Sequence, residues 1–214
     1  MVAMIASDET LRQAADYLTA HDSKLAPLVA RYGLATFRPH QSYYQALVSS
    51  VISQQLSVKA ASTIQARFCA LFGSAELPSP EQILQKDIEE LRTAGLSRGK
   101  ALYVRDLAQH VMDGKITFDR LDSLSNDDII TELTEVKGIG EWTVHMFLMF
   151  CMGRLDVLPH GDLGVKNAIK QLYNFDHQPT AQDVITIADT YQWHPYESVA
   201  AWYLWRSLEN APDV

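Results

Sequence analysis

The residues from Leu133 to Asp162 read LTEVKGIGEWTVHMFLMFCMGRLDVLPHGD, and this stretch decides the fold. Ile129, Ile130 and Leu133 lie at helical spacing behind a Ser125 N-cap, and Val136-Lys137-Gly138-Ile139-Gly140 then breaks the helix. Trp142, Met146, Phe147 and Phe150 restart a 3.6-residue period, so the pattern predicts helix, tight turn, helix over about 129–150. Two glycines flanking one apolar residue give the backbone access to positive φ and to close approach from outside. Gly138, Gly140 and the first N–H groups of the next helix then form a concave set of donors at a positive dipole end, suited to a phosphate oxygen. Ile139 plugs the turn into the core. The same GxG also closes ordinary αα-hairpins, so by itself it leaves both readings open.

The second half of the stretch ends a helix near Gly153 and passes through an irregular LDVLPHGDLGV. Asp162 stands just before a further helical run (Leu163, Val165, Ile169, Leu172), where an N-cap would stand. Working outward, Tyr44, Leu47, Val48, Val51 and Ile52 predict an amphipathic helix from Ser42, interrupted by Gln54-Gln55-Leu56-Ser57. Val58 to Phe72 follows as a second helix (Ala61, Ile64, Phe68, Leu71) closed by Gly73. The Gln-Gln junction reads equally as capping chemistry. Ser79-Pro80 is an N-cap with proline at N1, and Gly95 ends the short helices after it. Leu96-Ser97-Arg98-Gly99-Lys100 opens a helix with Leu102, Leu107 and Val111 facing inward, and Thr117 to Leu124 is a connector. Residues 1–40 hold one helix (Leu11, Ala14, Ala15, Leu18) and a loose connection through Arg38-Pro39-His40. Thr180 caps a helix with Val184, Ile187 and Ala188, and a last helix after Pro195 carries Val199, Trp202, Tyr203 and Trp205. No strand-like alternation, repeat or low-complexity segment is present, so the chain reads as all-α.

VKGIGEWTVHMFLMF followed by DVLPHGDLGVKNAI resembles the helix-hairpin-helix plus Gly/Pro…Asp signature of the helix-hairpin-helix DNA glycosylases, within them most the 3-methyladenine DNA glycosylase II type. LVSSVISQQLSVKAA, GLSRGKALYVRDLA and HPYESVAAWYLW extend the resemblance, in order, over about Tyr43 to Trp205. It implies a single catalytic domain over 1–214, with two helical lobes flanking a cleft and the N-terminal segment and C-terminal helices forming the second lobe. It lacks room for the N-terminal β-rich domain that some such enzymes carry.

The resemblance also implies roles. Asp162 takes the family's catalytic aspartate, a carboxylate near C1′ that stabilises charge developing on the sugar; the cap reading is compatible, since a capping carboxylate is rigidly held. The Gln54, Gln55, Leu56, Ser57 turn enters the minor groove, with Gln55 or Leu56 as the wedge filling the gap of a flipped nucleotide. Lys137, Gly138, Ile139, Gly140 and Thr143 contact the DNA backbone, and Arg98 and Lys100 become phosphate contacts. A monovalent cation, Na⁺ or K⁺, bridges to phosphate from the carbonyls of Val136, Gly138 or Ile139; no other cofactor is expected. Bifunctional relatives carry a lysine where this chain has Trp142, and Trp cannot form a Schiff base, so a monofunctional hydrolase is expected. Alkylated purines are cationic and favour aromatic faces by about 1–2 kcal/mol. Trp142, Met146, Leu163, Trp193 and Tyr196 are therefore the candidate base pocket, although each aromatic taken alone also reads as core. Met146 and Leu163 replace residues that are aromatic in the best-known pattern, and Glu197 replaces a basic one. His160 reads as an acid–base helper or a loop residue.

Composition bounds the alternatives. With 47% hydrophobic and 21% charged residues in 214, the chain suits one domain or two lobes and has no apolar run of membrane-spanning length. Met1 to Thr10 shows no signal-peptide pattern. Cys69 and Cys151 fall on apolar faces, point to a reducing compartment and are too few for a four-cysteine iron–sulfur cluster. A net charge of −8 predicts modest DNA affinity with a small salt slope, the acidic residues gathering in Asp87–Glu90 and Asp119–Asp128. The expected partner is double-stranded DNA with alkylated bases, bound by a monomer away from membranes, in the cytoplasm and nucleoid of a bacterium or the nucleus of a eukaryote. The competing readings are a glycosylase for oxidised or deaminated bases, a non-catalytic damage-binding module, and a helical protein-interaction domain.

Overall fold

Apolar residues at helical spacing become helices along the whole computed structural model, which describes residues 5–39 and 42–208. Among these residues the only extended pairing is a single antiparallel bridge between Ile5 and Arg154. The fold is all-α. Two units divide the chain, one built from residues 1–40 and 148–214, the other from residues 41–147. None of the described helices is long and apolar enough to cross a membrane.

In the first unit α1 (Asp8–His21) buries Leu11, Ala14, Ala15 and Leu18 behind a capping box of Ser7 and Thr10. A second helix, α2 (Ala26–Tyr32), occupies part of what the sequence predicts as a loose connection. It is seven residues long, has a proline in its first turn and buries none of its own residues, although Leu25, Leu28, Val29 and Tyr32 stand at helical spacing. The rest of that connection, through Arg38 and Pro39, is irregular, and His40 lies outside the described residues. After the second unit the chain returns in α10 (Leu163–Leu172), α11 (Ala181–Thr190) and α12 (Glu197–Ser207). Ser198 through Trp205 are all buried, which makes α12 the central rod against which α1, α2 and α10 pack. Its buried hydroxyls are satisfied, Ser198 Oγ donating to the Arg154 carbonyl at 2.8 Å and accepting from the Val157 N–H at 3.1 Å, and Tyr203 Oη donating to the Gly33 carbonyl at 2.7 Å. Asp22, fully buried at the end of α1, accepts from the backbone N–H groups of Lys24 and Leu25, from Tyr173 Oη at 2.6 Å and from Trp193 Nε1 at 2.8 Å. Burial and this carboxylate together push the Tyr173 phenol above its ordinary pKa.

In the second unit come α3 (Tyr43–Ser53), α4 (Val58–Ala70), α5 (Pro80–Leu84), α6 (Ile88–Arg92), α7 (Arg98–Met112), α8 (Asn126–Thr134) and α9 (Glu141–Met146). α7 is its hub, packing on α3, α5 and α6. The inward face of α7 is Ala101, Val104, Leu107 and Ala108; Leu102 is exposed and Val111 half-buried, so the expected stripe is rotated. A 3₁₀ helix, Phe118–Ser123, stands where a plain connector is predicted and buries Leu121. After α9 the predicted α-helical period gives way to a π turn, Phe147–Cys151. Both cysteines are buried free thiols.

Candidate active site and nucleic-acid interface

The hairpin forms as the sequence predicts, but its two glycines differ. Ser125 caps α8 through the Asp128 N–H at 3.1 Å, and Val136 and Ile139 are buried, 1% and 2% exposed. The turn closes with the Ile139 N–H donating to the Val136 carbonyl at 3.1 Å. Gly138 alone takes a left-handed φ, +83°. A Cβ there would lie 2.1 Å from Tyr103 Cδ2, because the Tyr103 ring from α7 covers its Cα. Gly140 is extended (φ −92°, ψ 169°), serves as N-cap of α9, and has nothing within 4 Å of an added Cβ. The expected contacts therefore separate. Lys137 is exposed, with its N–H donating to Asp106 Oδ2 at 2.8 Å; Gly140 offers open backbone; Ile139 and Thr143 have their side chains inside and can present only main chain. Trp142 is 51% exposed on the first turn of α9, and Met146 is half-buried near its end.

The Gln54–Ser57 turn lies in the same unit. Gln55 has a left-handed backbone (φ 57°) and is exposed, as are Leu56 and the neighbouring Val58. Ser57 caps α4, accepting from the Ala60 N–H at 3.4 Å. Gln54 is held: its Nε2 donates to the Gly138 carbonyl at 2.8 Å. That bond ties Gln54 to the hairpin and places an amide donor on the carbonyl of Gly138, one of the three (Val136, Gly138, Ile139) expected to face a cation. Lys100 is no free phosphate contact. Its Nζ donates to the carbonyls of Ile52 at 2.8 Å and Gln54 at 2.6 Å, and burial pulls its pKa below the ordinary lysine value. Arg98 remains exposed.

In the first unit Asp162 is the N-cap of α10, half-buried, with Oδ1 accepting from the Val165 N–H at 2.8 Å. The same oxygen accepts from Trp205 Nε1 on α12, also at 2.8 Å. Gly164 makes room for this: a Cβ on it would meet Trp205 Cδ1 at 2.8 Å and Asp162 Oδ1 at 3.0 Å. The Trp205 ring in turn packs beside Phe150, centroids 5.9 Å apart, and Phe150 stacks on Phe37. Leu163, beside Asp162, is 64% exposed. His160 is half-buried in the preceding turn. Two members of the expected base pocket are core residues. Trp193 has no exposed surface and its indole N–H is bound to Asp22, while Tyr196 is 8% exposed and packs on Tyr17, centroids 5.3 Å apart. Trp205, which the sequence presents only as one more apolar residue of α12, is the aromatic side chain that bonds Asp162.

A capped carboxylate braced by an indole, in a chain whose second unit carries a buried-isoleucine GxG hairpin, defines a class. The chain belongs to the HhH-GPD superfamily of base excision DNA repair proteins, whose family model matches residues 48–191, hairpin and Asp162 included. Among its relatives, the DNA-3-methyladenine glycosylase 1 of Schizosaccharomyces pombe is 35% identical over 208 residues, covering 94% of this chain and 90% of the relative. The crystal structure of a DNA-3-methyladenine glycosidase from Bacillus halodurans superposes with a TM-score of 0.81 at 38% identity, over 97% of this chain and 92% of that one. The S. pombe 3-methyladenine DNA glycosylase Mag1, solved in complex with abasic DNA, gives 0.77 at 34% identity, over 92% and 97%.

Proposed function

We propose that this protein is a monofunctional alkylpurine DNA glycosylase that excises bases of the 3-methyladenine and 7-methylguanine type and leaves an abasic site. The observation that carries the reading is the Asp162 carboxylate, fixed through one oxygen by two N–H donors at the start of α10. The names of the relatives support the substrate class. Alkylation at N3 or N7 makes the purine a cationic leaving group, so its departure needs no strong acid. As the N-glycosidic bond breaks, its electron pair leaves with the base and positive charge grows on the sugar. Asp162 stabilises that charge and orients the water that adds to C1′, the water proton leaving to solvent. The nucleotide must first leave the stack, and Gln55 and Leu56 at the exposed tip of their turn are suited to fill the space behind it. Trp142, half exposed on the first turn of α9, carries the kind of aromatic face that a cationic base favours. Trp142 also bars the Schiff-base route, so strands stay intact. Water is the only co-reactant, the partner is duplex DNA carrying the lesion, and the protein acts as a monomer at the chromosome.

The test is release of free base from methylated duplex DNA by wild type and Asp162→Asn at matched DNA occupancy. Free 3-methyladenine or 7-methylguanine from wild type alone, with strand breaks only after alkali, is the expected result. Binding without release by wild type would favour a damage-binding module, and an Asp162→Asn protein as active as wild type would sink the catalytic assignment.

A further inference from the structure

We propose that Lys100 and Gln54 are positioning residues that lock the Gln54–Ser57 turn to the hairpin, so that the two turns meet DNA as one preset surface and neither side chain itself touches it. The inference rests on the reading that these turns face DNA. It begins with Gln55, a non-glycine residue in the left-handed region. Such a conformation persists only where the surroundings over-determine it. Here they do so from both sides. α3 ends with carbonyls that have no helical partner. Lys100 Nζ spans two carbonyls there, Ile52 and Gln54, placing a cation at the negative end of the helix. Gln54, the residue so gripped, then turns its amide onto the Gly138 carbonyl 84 residues away.

The hairpin is tied to the same helix. Tyr103 covers Gly138, and Asp106 accepts the Lys137 N–H at 2.8 Å. Lys100, Tyr103 and Asp106 recur at three-residue spacing and so share one face of α7. One helix face thus holds both turns, and the Gln54–Gly138 bond closes the triangle directly. The outcome is that the exposed tip at Gln55 and Leu56 and the open backbone at Gly140 are separately anchored to one rigid element. For a protein that must hold a bent, unstacked duplex, presetting that spacing removes an ordering cost at the moment of binding. It also explains why a basic residue in an overall acidic chain is spent on carbonyls instead of a phosphate.

The distinction is measurable because a phosphate contact and a positioning residue respond differently to salt. Binding to a duplex containing an abasic site is measured for wild type, Lys100→Met and Gln54→Leu from about 50 to about 300 mM salt. Each variant is expected to weaken binding about tenfold with the slope of log K against log salt unchanged, and the double variant to be scarcely worse than either single one. A slope reduced by about 1 in Lys100→Met would make Lys100 a phosphate contact and overturn the proposal, as would wild-type affinity in both variants. A second measurement needs no DNA. In the free protein, Lys100→Met is expected to speed amide exchange at Gln55–Ser57, and Gln54→Leu at Ile139–Gly140, while the interior amides of α7 stay protected and report an intact fold. Unchanged exchange at both turns overturns the coupling. If wild type binds no DNA, the proposed function falls, and exchange alone still decides whether the lock exists.

Discussion

Replacing each hairpin glycine by alanine separates the two jobs that a GxG motif performs. At Gly138 the new methyl would start 2.1 Å from the Tyr103 ring while the backbone holds φ +83°. The left-handed strain costs about 1–2 kcal/mol, and forcing a methyl into filled space a further 1–3 kcal/mol or so. At about 2–4 °C per kcal/mol for a chain of this size, Gly138→Ala should lower the melting temperature by roughly 4–20 °C. Gly140 is extended and faces open space, so Gly140→Ala costs only the difference between glycine and alanine at an N-cap, about 0.5–1 kcal/mol. Its effect should fall on DNA instead. If the Gly140 backbone meets a phosphate, as the proposed DNA-facing turns require, the methyl forfeits a charge-assisted bond of about 1.5–3 kcal/mol, so affinity for an abasic duplex should drop about 10- to 150-fold. Thermal unfolding and fluorescence-anisotropy titration, run on the same preparations, read the two effects separately. A Tyr103→Leu background should shrink the Gly138→Ala penalty by clearing the collision and leaving the strain. A Gly138→Ala protein melting like wild type would refute the packing argument. Wild-type DNA affinity in Gly140→Ala would refute close backbone approach at that position.

Trp205→Phe keeps aromatic packing on Phe150 but removes the N–H to Asp162 Oδ1; single-turnover excision should slow about 10- to 100-fold, the worth of a hydrogen bond to a charged group, with abasic-DNA affinity nearly unchanged and the melting temperature lowered by several degrees for the lost bond and the smaller buried ring. In an Asp162→Asn background the same change should add little, and additive losses would mean that Trp205 acts through something other than Asp162. Asp22→Asn turns an acceptor of four bonds into one with a donor facing donors, and should destabilise the protein by about 3 kcal/mol, seen as a lower urea midpoint. Burial, and the nearby Asp156 charge, raise the Glu197 pKa above its ordinary 4.5, the raising outweighing its bond to His194. A carboxyl with a raised folded pKa contributes stability below its unfolded pKa and loses it as pH rises through the folded value. Glu197→Gln should therefore compare more favourably with wild type at pH about 8 than at pH about 4; a melting-temperature difference that is flat or reversed across that range would contradict this.

How much of this could be read from the residues alone divides by distance along the chain. The expected N-caps at Ser79, Ser125, Asp162 and Thr180 all form, because each satisfies an N–H group three residues on and the side chain's reach is fixed by local geometry. Ile139 as the plug of the hairpin follows from the same local logic. Where a helix is short the period has little to say: α2 has seven residues, a proline in its first turn and a single i, i+3, i+4, i+7 set from Leu25 to Tyr32, and the run FLMFCM after α9 is apolar throughout, so nothing in it marks a change from α to π. On α7 the smaller Ala101 and Ala108 sit inward and the larger Leu102 outward, so counting only large apolar residues turned the expected face.

The site was legible where its bonds are local and opaque where they are long. Gln54 and Gly138 are 84 residues apart, Asp162 and Trp205 43, Asp22 and Trp193 171. No spacing rule links such pairs; Trp202 and Trp205 present themselves alike as aromatic residues of one apolar helix, and Trp193 stands in the polar stretch DTYQWHPYES with nothing to show that it is core. The structure distinguishes Trp205 by one consequence of a missing side chain: Gly164, two residues after Asp162, leaves the gap through which the indole reaches the carboxylate. This bears on the two readings of Asp162 that its position offers. A cap bond alone restrains a carboxylate from the helix side only, as at any N-terminus. The indole on the same oxygen supplies a second, tertiary restraint, and two donors converging on one atom set the plane of the whole group. Capping and the proposed catalytic role are then not rivals, because the cap is one half of the arrangement that fixes the carboxylate.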